Sequence, residues 1–410
     1  MTGPEIVTLG CRLNTFESEV MRQLGEGLAD TVIVNTCAVT AEAERQARQC
    51  IRRLRRERPG VRILVTGCAA QLHPERFAEM PEVDRVLGNA EKLDAGLLRG
   101  DGEIAVSDIM RGNETEAPLI AGFEGRSRAF VQVQQGCDHR CTFCVVPFAR
   151  GPNRSLEPEA IVAQARTLVE NGYLEIALTG VDASSFGTDR SGLPSLGGLA
   201  RLILERVPGL ARLRLTSQDP AALDPEIFRL LAEEPRFMPH LHLSLQACDD
   251  LVLKRMKRRH TRSQAAEAVC RARAARPDVS LGADLIAGFP TEDEAMFANT
   301  LAFVEEFGLQ FLHVFPFSAR EGTPAARMPQ VPKAVRKERA ARLRAAGEAR
   351  LARWLAGRVG ETVEVLVEEE GIGRCPWYAT VRLPSGLAAG RLARVRLAGT
   401  ADGELIAEAA

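Results

Sequence analysis

Cys137, Cys141 and Cys144 are the residues whose type and spacing most directly suggest chemistry. They follow one another as C-x3-C-x2-C immediately after the apolar run AFVQVQQ. Three thiolates so close in one loop can hold three irons of a 4Fe-4S cluster and leave the fourth iron open. A structural zinc site normally needs four protein ligands, and His139, inside the same loop, is a poor geometric partner. The spacing therefore favours an iron-sulfur cluster over zinc.

Three further cysteines each end a strand-like run. IVTLGC ends at Cys11, VIVNTC ends at Cys37, and ILVTGC ends at Cys68. A single cysteine in such a place is more often a small buried residue. The same position in three successive units favours a shared metal site instead. Turn residues beside the thiols, such as Gly10 and Gly67, expose backbone N–H groups that can donate hydrogen bonds to cluster sulfurs.

The elements that must position these three cysteines lie within a first domain, residues 1–102. Short apolar strands alternate there with amphipathic helices, one from about Asn14 and one from about Ala41 to Arg58. Such alternation predicts a small parallel sheet. Ligands of these sheets bind outside the carboxyl ends of the strands. The three cysteines are therefore expected to meet at that edge.

Residues 129–354 are predicted to form a partial (β/α)6 barrel. Six strand candidates occur at barrel-like intervals, separated by helix patterns. They are AFVQVQQ before Cys137, EIALTGV (175–181), RLRLTSQ (212–218), HLHLSLQ (240–246), SLGADLIAGF (280–289) and FLHVFPFS (311–318). The chemistry of parallel barrels lies at the C-terminal mouth of the strands. The C-x3-C-x2-C loop begins at that mouth.

The segments that flank the barrel differ from it in pattern. Residues 103–128 are polar and Gly-rich with little periodicity, so they are interpreted as a linker. In residues 355–410, ETVEVLVEEE, WYATVRL and ARVRLA alternate like strands of a small β-barrel. The whole chain is accordingly assigned to the α/β class, with a small parallel domain, a partial barrel and an all-β tail.

Composition sets the setting in which this chemistry would occur. The 410 residues are 45% hydrophobic and 26% charged, and no apolar run of about 18 residues could span a bilayer. The start of the chain lacks the pattern of a signal peptide, so a cytoplasmic protein with reduced thiols is expected. The formal net charge of −1 gives no overall nucleic-acid footprint, so binding of a polyanion would depend on local patches.

Three basic segments could supply such patches. On the helix of residues 41–58, arginines fall within one arc, opposite Ala47, Cys50, Ile51 and Leu54. These arginines are Arg45, Arg48, Arg52, Arg55 and Arg56. A one-sided arginine stripe suits phosphate contact, although a solvated basic face is the commoner explanation. KRMKRRHTR (Lys254–Arg262) and the Arg-rich helix near 333–358 are similar.

These residues together resemble a known family. The C-x3-C-x2-C loop, with Phe143 before its last cysteine and six barrel units after it, resembles the radical S-adenosylmethionine (SAM) superfamily. LGCRLN, VNTCAVT and VTGCAAQ are similar to the methylthiotransferases within it. TLGCRLNTFESEV, NTCAVTAEAERQARQ, PHLHLSLQ, LKRMKRRHTR and HVFPFSAREGTPA resemble the branch that acts on N6-threonylcarbamoyladenosine beside the tRNA anticodon. The similarity runs from about Glu5 to Glu369.

The resemblance implies two 4Fe-4S clusters and SAM. Cys137, Cys141 and Cys144 would bind the cluster whose open iron takes SAM, and Cys11, Cys37 and Cys68 would bind a second cluster that carries sulfur. One electron would cleave SAM to a 5′-deoxyadenosyl radical, which removes the hydrogen from C2 of the adenine, and a second SAM would supply the methyl group. Because C2–H is not acidic enough for base chemistry, the reaction would need both a radical and a sulfur atom nearby. The two clusters would therefore face one another.

The resemblance also implies residues of a SAM pocket. Phe143 would lie near the SAM adenine, and Thr179 and Gly180 near the methionine amino group. The strand ends at Ser217, Gln246 and Gly288 would line the rest of the pocket. Barrel-interior positions are also filled by whatever packs, so both explanations stay open for these residues.

The tail resembles a TRAM domain, a small RNA-binding barrel, over residues 357–410. The usual Asn-Tyr pair appears here as Trp377-Tyr378, and these aromatics could stack on bases or fill a small core. The expected partners are a tRNA substrate and an electron donor such as flavodoxin or ferredoxin. The sulfur source is left unassigned.

The remaining cysteines and histidines are interpreted as structural. Cys248 is an extra thiol near the barrel mouth and is expected to be a bystander. Cys50, Cys270 and Cys375 have no clustered partner. His240 and His242 share one strand face without an evident third ligand, so packing or polar lining is favoured over a metal.

Two rival functions remain. One is a sister methylthiotransferase that acts on isopentenylated adenosine or on a ribosomal protein side chain. The other is a zinc-stabilised RNA-binding protein without catalysis.

Overall fold

The computed structural model of the chain describes residues 3–111 and 119–409. Residues 112–118, in the middle of the predicted linker 103–128, lie outside the described residues. None of the helices in the described part of the chain has the length and apolar character needed to cross a bilayer.

The first domain is built on a sheet of five parallel strands in sequential order. The strands are β1 (Glu5–Thr8), β2 (Thr31–Thr36), β3 (Arg62–Gly67), β4 (Arg85–Leu87) and β5 (Ile104–Ala105). The helices are α1 (Arg12–Leu24), α2 (Ala41–Glu57), α3 (Cys68–Leu72), α4 (Pro74–Ala78) and α5 (Ala95–Arg99). Because β5 pairs with β4, the sheet extends past the predicted domain boundary at residue 102.

Local sequence explains why these elements form. Every residue of β2 is buried, as expected for a parallel strand covered by helices on both faces. At the start of α2, the Thr40 side chain accepts a hydrogen bond from the Ala43 N–H at 3.1 Å. The helix then buries Ala47, Ile51 and Leu54 against the sheet. The predicted parallel domain is therefore confirmed.

The second region is a partial barrel of parallel strands. The strands of this region, which include an adjoining antiparallel pair of β7 and β8, are β6 (Ala129–Gln132), β7 (Gln134–Gln135), β8 (Arg154–Ser155), β9 (Glu175–Thr179), β10 (Arg212–Leu215), β11 (His240–Gln246), β12 (Ser280–Ala287) and β13 (Phe311–Pro316). The helices are α6 (Val146–Arg150), α7 (Pro158–Glu170), α8 (Leu196–Arg206), α9 (Pro225–Glu233), α10 (Asp250–Met256), α11 (Arg262–Ala275), α12 (Glu294–Glu306) and α13 (Lys333–Ala356).

The barrel strands lie in sequential order and leave a gap between β6 and β13. Two three-stranded parallel sheets, β6-β9-β10 and β11-β12-β13, are joined by the isolated bridges Leu213–Phe237 and Gln218–Leu243. The predicted six-unit barrel is confirmed, although several strands end earlier than expected. AFVQVQQ is also divided, because β7 pairs antiparallel with β8 instead of continuing β6.

Alternation along the strands separates the two faces of the barrel wall. In β11, Leu241, Leu243 and Leu245 belong to the apolar core under the helices. His240 and His242 alternate with these leucines, so their side chains point into the lumen. The polar HLHLSLQ pattern is therefore a lining of the barrel interior.

The C-terminal region is a closed five-stranded barrel, as predicted. Its strands are β14 (Thr362–Glu369), β15 (Ile372–Arg374), β16 (Thr380–Arg382), β17 (Leu392–Ala401) and β18 (Glu404–Ala409). Arg212 and Ser280, the first residues of β10 and β12, donate hydrogen bonds to its backbone carbonyls. The small barrel thus covers the N-terminal end of the partial barrel, opposite the mouth that carries the cysteine loop.

Candidate functional site

The first cysteine trio lies at the carboxyl edge of the N-terminal sheet, as predicted. Cys11 precedes α1, Cys37 follows β2, and Cys68 begins α3 directly after β3. Gly10 has a φ of 102°, and a β-carbon there would lie 2.7 Å from Cys37 Cβ and 3.0 Å from its sulfur. A glycine at position 10 therefore allows the Cys11 and Cys37 segments to approach each other closely.

A buried charge cluster supports this trio from behind. Arg150 Nε donates a hydrogen bond to Cys68 Sγ at 3.1 Å, and Nη2 donates to Asn14 Oδ1 at 2.6 Å. Arg150 also pairs with Glu17, which accepts a hydrogen bond from Lys92 Nζ at 2.6 Å. Burial alone would raise the pKa of Glu17, but the charges of Arg150 and Lys92 hold it at about 2. A fixed guanidinium therefore faces the sulfur of Cys68.

The second trio is carried by a single loop that follows β7. Gly136 has a φ of 74°, and a β-carbon there would overlap the carbonyl group of Pro152. Thr142 anchors the middle of the loop, since its N–H donates to Met256 O at 3.0 Å. Arg258 Nη1 lies 3.6 Å from Cys141 Sγ as a hydrogen-bond donor. This trio thus also has an arginine beside one of its sulfurs.

The chemistry of both sites fits thiolate-bound clusters. Burial raises the pKa of Cys37, Cys137 and Cys144 to about 12, so a thiolate at these positions needs a nearby cation. Metal ions stabilise the deprotonated form of cysteine. Each trio offers three sulfurs and an arginine donor to sulfur, which matches a 4Fe-4S cluster with one iron left free.

The two trios lie near one another. The charge of Cys68, in the first trio, is one of the causes that raise the pKa of Cys144 after burial and the neighbouring Cys141. Asn89 Nδ2, which lies 4.0 Å from Cys68 Sγ, donates to Ala149 O on the barrel helix α6. The sheet edge of the first domain and the mouth of the barrel therefore adjoin each other.

Five of the predicted SAM-pocket residues lie at or just after strand ends of the barrel, and Phe143 lies within the cysteine loop itself. Thr179 is the last residue of β9 and Gln246 is the last residue of β11. Phe143 packs edge to face on Phe289, with ring centroids 6.4 Å apart. Their role toward SAM stays a prediction.

The surroundings of Gly180 and Gly288 are crowded, whereas Ser217 is partly accessible. A β-carbon at Gly180 would lie 2.8 Å from Gln134 Oε1. Ser217 follows β10 and is half-buried. At Gly288, with a φ of 71°, the side chain of Arg336 fills the space that a β-carbon would take.

Sequence reasoning missed the acidic groups around the loop. His139 Nε2 lies 2.8 Å from Asp182 Oδ2, and their ligand atoms and that of Cys137 lie within 4.8 Å of one another. Asp219 pairs with Arg258 at 3.1 Å. Both aspartates come shortly after a barrel strand, and that position was the available signal for them.

The lumen below the mouth holds a second cluster of ligand-type groups. His242 Nε2 lies 3.2 Å and His313 Nδ1 3.1 Å from Asp284 Oδ1. His242 therefore has two ligand-type neighbours that were not evident from the sequence. Burial raises the pKa of Asp284, but hydrogen bonds from both imidazoles lower it below its usual range. Pairing with Asp284 accounts for His242 and His313 as polar lining of the lumen.

Many arginines of the predicted basic patches form hydrogen bonds or ion pairs within the protein. Arg258 is bonded as described above, and Arg262 donates to Asn299 O at 2.6 Å. Arg55 donates to Val61 O at 2.7 Å and pairs with Asp84. On α2, Arg52 and Arg56 are exposed. The Arg-rich helix α13 likewise makes internal contacts, such as Arg339 to Glu292 at 2.9 Å.

The tail aromatics fill an interface between domains. Trp377 Nε1 donates to Asp278 Oδ2 at 2.8 Å, and its ring lies 6.0 Å from that of Trp354. Tyr378 stacks on His240 with ring centroids 4.8 Å apart. Of the two explanations left open, packing is the one that the contacts support.

The cysteines outside the trios behave as structural residues where they are buried. Cys248 and Cys375 are both fully buried. Burial raises the pKa of each thiol above its usual range, which keeps it protonated. Cys50 is half-buried and Cys270 is exposed on α11.

A parallel partial barrel whose first strand leads into a C-x3-C-x2-C loop defines the class of radical SAM proteins. The sequence model of the Radical SAM superfamily matches residues 131–304, and that of the Uncharacterized protein family UPF0004 matches residues 4–88. A solved structure of the radical SAM methyltransferase TsrM from Kitasatospora setae has a similar fold. Its TM-score is 0.52 at 16% identity, over 86% of this chain and 71% of that chain.

Full-length relatives narrow the class. The chain is 49% identical to the threonylcarbamoyladenosine tRNA methylthiotransferase MtaB of Rickettsia prowazekii, over 97% of this chain and 96% of the relative. It is 37% identical to the tRNA-2-methylthio-N(6)-dimethylallyladenosine synthase of Erythrobacter litoralis, over 96% and 94%. The chain belongs to the MtaB-type family of radical SAM tRNA methylthiotransferases.

Proposed function

We propose that this chain inserts sulfur and a methyl group at C2 of N6-threonylcarbamoyladenosine in tRNA. The observation that carries the proposal is that two three-cysteine sites lie beside each other. One site alone would suit many radical SAM enzymes, whereas a second site beside it suits delivery of sulfur. The name of the Rickettsia prowazekii relative, at 49% identity, supports the choice of substrate.

Two 4Fe-4S clusters and SAM are the cofactors of this proposal. Cys137, Cys141 and Cys144 would hold the SAM-binding cluster, and Cys11, Cys37 and Cys68 would hold the cluster that carries sulfur. When bound, these groups supply the electron transfer, the radical and the sulfur, which no side chain of the chain can supply.

The chain itself would contribute binding and electrostatics. Arg150 and Arg258 would donate hydrogen bonds to cluster-bound sulfurs, which stabilises the added negative charge of a reduced cluster. Phe143, Thr179, Gly180, Ser217, Gln246 and Gly288 remain the proposed SAM-pocket residues. Their support is their place at the mouth of the barrel, at strand ends for five of them and within the cysteine loop for Phe143.

The partners of the reaction are proposed from chemistry. An electron donor of the flavodoxin or ferredoxin type would reduce the barrel cluster. The exposed Arg52 and Arg56 of α2 would contact tRNA phosphates.

The first test is the iron and acid-labile sulfide content after anaerobic purification. The wild type would be compared with the Cys137→Ala/Cys141→Ala/Cys144→Ala variant. About eight irons, falling to about four in the variant, are expected for two 4Fe-4S clusters. Zinc in place of iron, or a variant that loses no iron, would overturn the proposal in favour of a zinc-stabilised RNA-binding protein.

A second candidate substrate is dimethylallyladenosine in tRNA. It is favoured by the Erythrobacter litoralis relative, which matches over nearly the whole chain. Nucleoside analysis of tRNA from a deletion strain separates the two. Loss of the methylthio form of threonylcarbamoyladenosine alone supports the first substrate, and loss of the methylthio dimethylallyl form alone supports the second. Loss of neither would point to a protein substrate.

A further inference from the structure

Arg12 links the first cysteine trio to the C-terminal barrel. It directly follows Cys11 and is the first residue of α1. Its side chain is half-buried and reaches toward the C-terminal barrel, where Nη2 donates a hydrogen bond to Tyr378 Oη at 2.6 Å. One guanidinium thus joins the neighbourhood of a cluster ligand to the floor of the lumen.

The charge of Arg12 differs from that of the other arginines around Tyr378. Arg128 pairs with Glu368, Arg214 donates to Glu175 at 2.8 Å, and Arg374 pairs with Glu368 at 3.1 Å. Within residues 3–111 and 119–409, no carboxylate forms an ion pair with Arg12. Its contact at Tyr378 is a hydroxyl, so its positive charge is left available for an anionic ligand.

The lumen beside Arg12 is open to solvent. On β13, the His313 side chain is 55% exposed. Phe315, two residues further along the strand, is 41% exposed. Tyr378, the hydrogen-bond partner of Arg12, stacks on His240 with ring centroids 4.8 Å apart, and the His313 ring lies 4.6 Å from that of His242, two residues along β11. Arg12 therefore borders an accessible space rather than a packed core.

The chemistry of the proposed substrate favours a cation in such a place. The N6-threonylcarbamoyl group ends in a carboxylate, which is costly to bury without a partner. In adenine, a single ring atom, N1, separates C2 from the carbon that bears N6. Groups that deliver sulfur to C2 and groups that hold the N6 substituent must therefore lie close together, as the consecutive residues Cys11 and Arg12 do.

We propose that Arg12 binds the carboxylate of the N6-threonylcarbamoyl group and that Tyr378 positions its guanidinium for this contact. The inference rests on the proposed function and deepens it. An arginine–carboxylate contact is a strong, directional hydrogen bond between charged groups. An uncharged dimethylallyl group would leave Arg12 desolvated and unpaired, so the same residue selects against the sister substrate.

The test compares two anticodon stem-loop RNAs. One carries N6-threonylcarbamoyladenosine, and the other carries its carboxamide, which has nearly the same shape but no charge. Kd would be measured by fluorescence anisotropy, and the methylthiolation rate in single turnovers. The wild type should prefer the carboxylate RNA by about 10- to 100-fold, as expected for a hydrogen bond between charged groups.

Arg12→Gln should reduce this preference to less than about 3-fold, because glutamine keeps a donor but loses the charge. Arg12→Lys should keep part of it, and Tyr378→Phe should weaken it through poorer positioning. Arg52→Gln is the matched control: it removes the charge of an arginine in the same way, but at an exposed position of α2, and should weaken both RNAs equally. Equal iron content in all variants would exclude loss of a cluster as the cause.

The outcomes separate this inference from the proposed function. If Arg12→Gln keeps the wild-type preference, or if the wild type itself shows none while methylthiolating the carboxylate RNA, the role of Arg12 is overturned and the function stands. If the wild type modifies neither RNA but modifies a dimethylallyladenosine stem-loop, the proposed function is overturned.

Discussion

The two cysteine trios lie beside each other but are built in different ways. Cys137, Cys141 and Cys144 come from one loop, whereas Cys11, Cys37 and Cys68 come from the ends of three parallel strands. The loop site depends mainly on local backbone geometry. The sheet site exists only when the whole domain is folded and its strands are in register. The sheet site of Cys11, Cys37 and Cys68 can therefore assemble only when the N-terminal domain has folded.

The two sites nevertheless share a local device. In both, a glycine with positive φ precedes a cysteine, at Gly10, Gly67 and Gly136. In both, an arginine donates a hydrogen bond to a sulfur. Shared chemistry on different frameworks means that matched substitutions can separate the contribution of the loop from that of the sheet.

The largest effect is expected from replacing these glycines. Gly67→Ala would bring a β-carbon against the backbone of Thr36, and Gly136→Ala would bring one against Pro152. Each variant should lose methylthiolation and about four of about eight irons, from its own site alone. Gly27→Ala is the control, because that glycine has a φ of 94° but open space around it. Loss of all iron in either variant would contradict independent sites.

A large effect on stability is expected for the sheet site. Glu17→Gln leaves the buried charges of Arg150 and Lys92 without a carboxylate. The free energy of unfolding should fall by about 3–5 kcal/mol, as is typical when one partner of a buried ion pair is removed. Urea denaturation followed by circular dichroism would measure it. The exposed Glu26→Gln should change stability by less than about 0.5 kcal/mol.

The pH dependence of stability should carry the mark of the same residue. The pKa of Glu17 is about 2 in the folded chain against an ordinary value of 4.5, so the unfolded chain binds more protons between these values. The stability from Glu17 is complete above pH 4.5 and is lost as the pH falls toward 2, by about 3 kcal/mol. Unfolding curves measured across this range should be less steep with pH for Glu17→Gln. Equal slopes would contradict the assignment.

The smallest effect is expected from replacing the arginine beside the loop site. Arg258→Gln removes the positive charge beside Cys141 Sγ. The midpoint potential of the barrel cluster should fall by tens of millivolts, because hydrogen bonds and charge near the sulfurs set it. Redox titration followed by electron paramagnetic resonance would detect the shift. The potential of the other cluster should stay unchanged, and a shift in both would show that the sites are electrically coupled.

Simple patterns predicted much of the fold and of the site. The cysteines could be found because each follows an apolar strand, and strands of a parallel sheet end at one edge. Glu17, Lys92 and Arg150 could not be found in this way, since they come from separate elements with no common period. The role of Arg258 was misread because a run of cations looks the same whether it faces phosphate or sulfur.

Both tryptophans of the chain lie at the junction of the two barrels. Trp354 and Trp377 are 6.0 Å apart, and the Arg358 guanidinium lies 4.7 Å and 4.3 Å from their ring centroids. Their ultraviolet emission therefore reports on this junction and on no other part of the molecule. A shift in emission on adding tRNA would reveal movement of the small barrel without any attached dye.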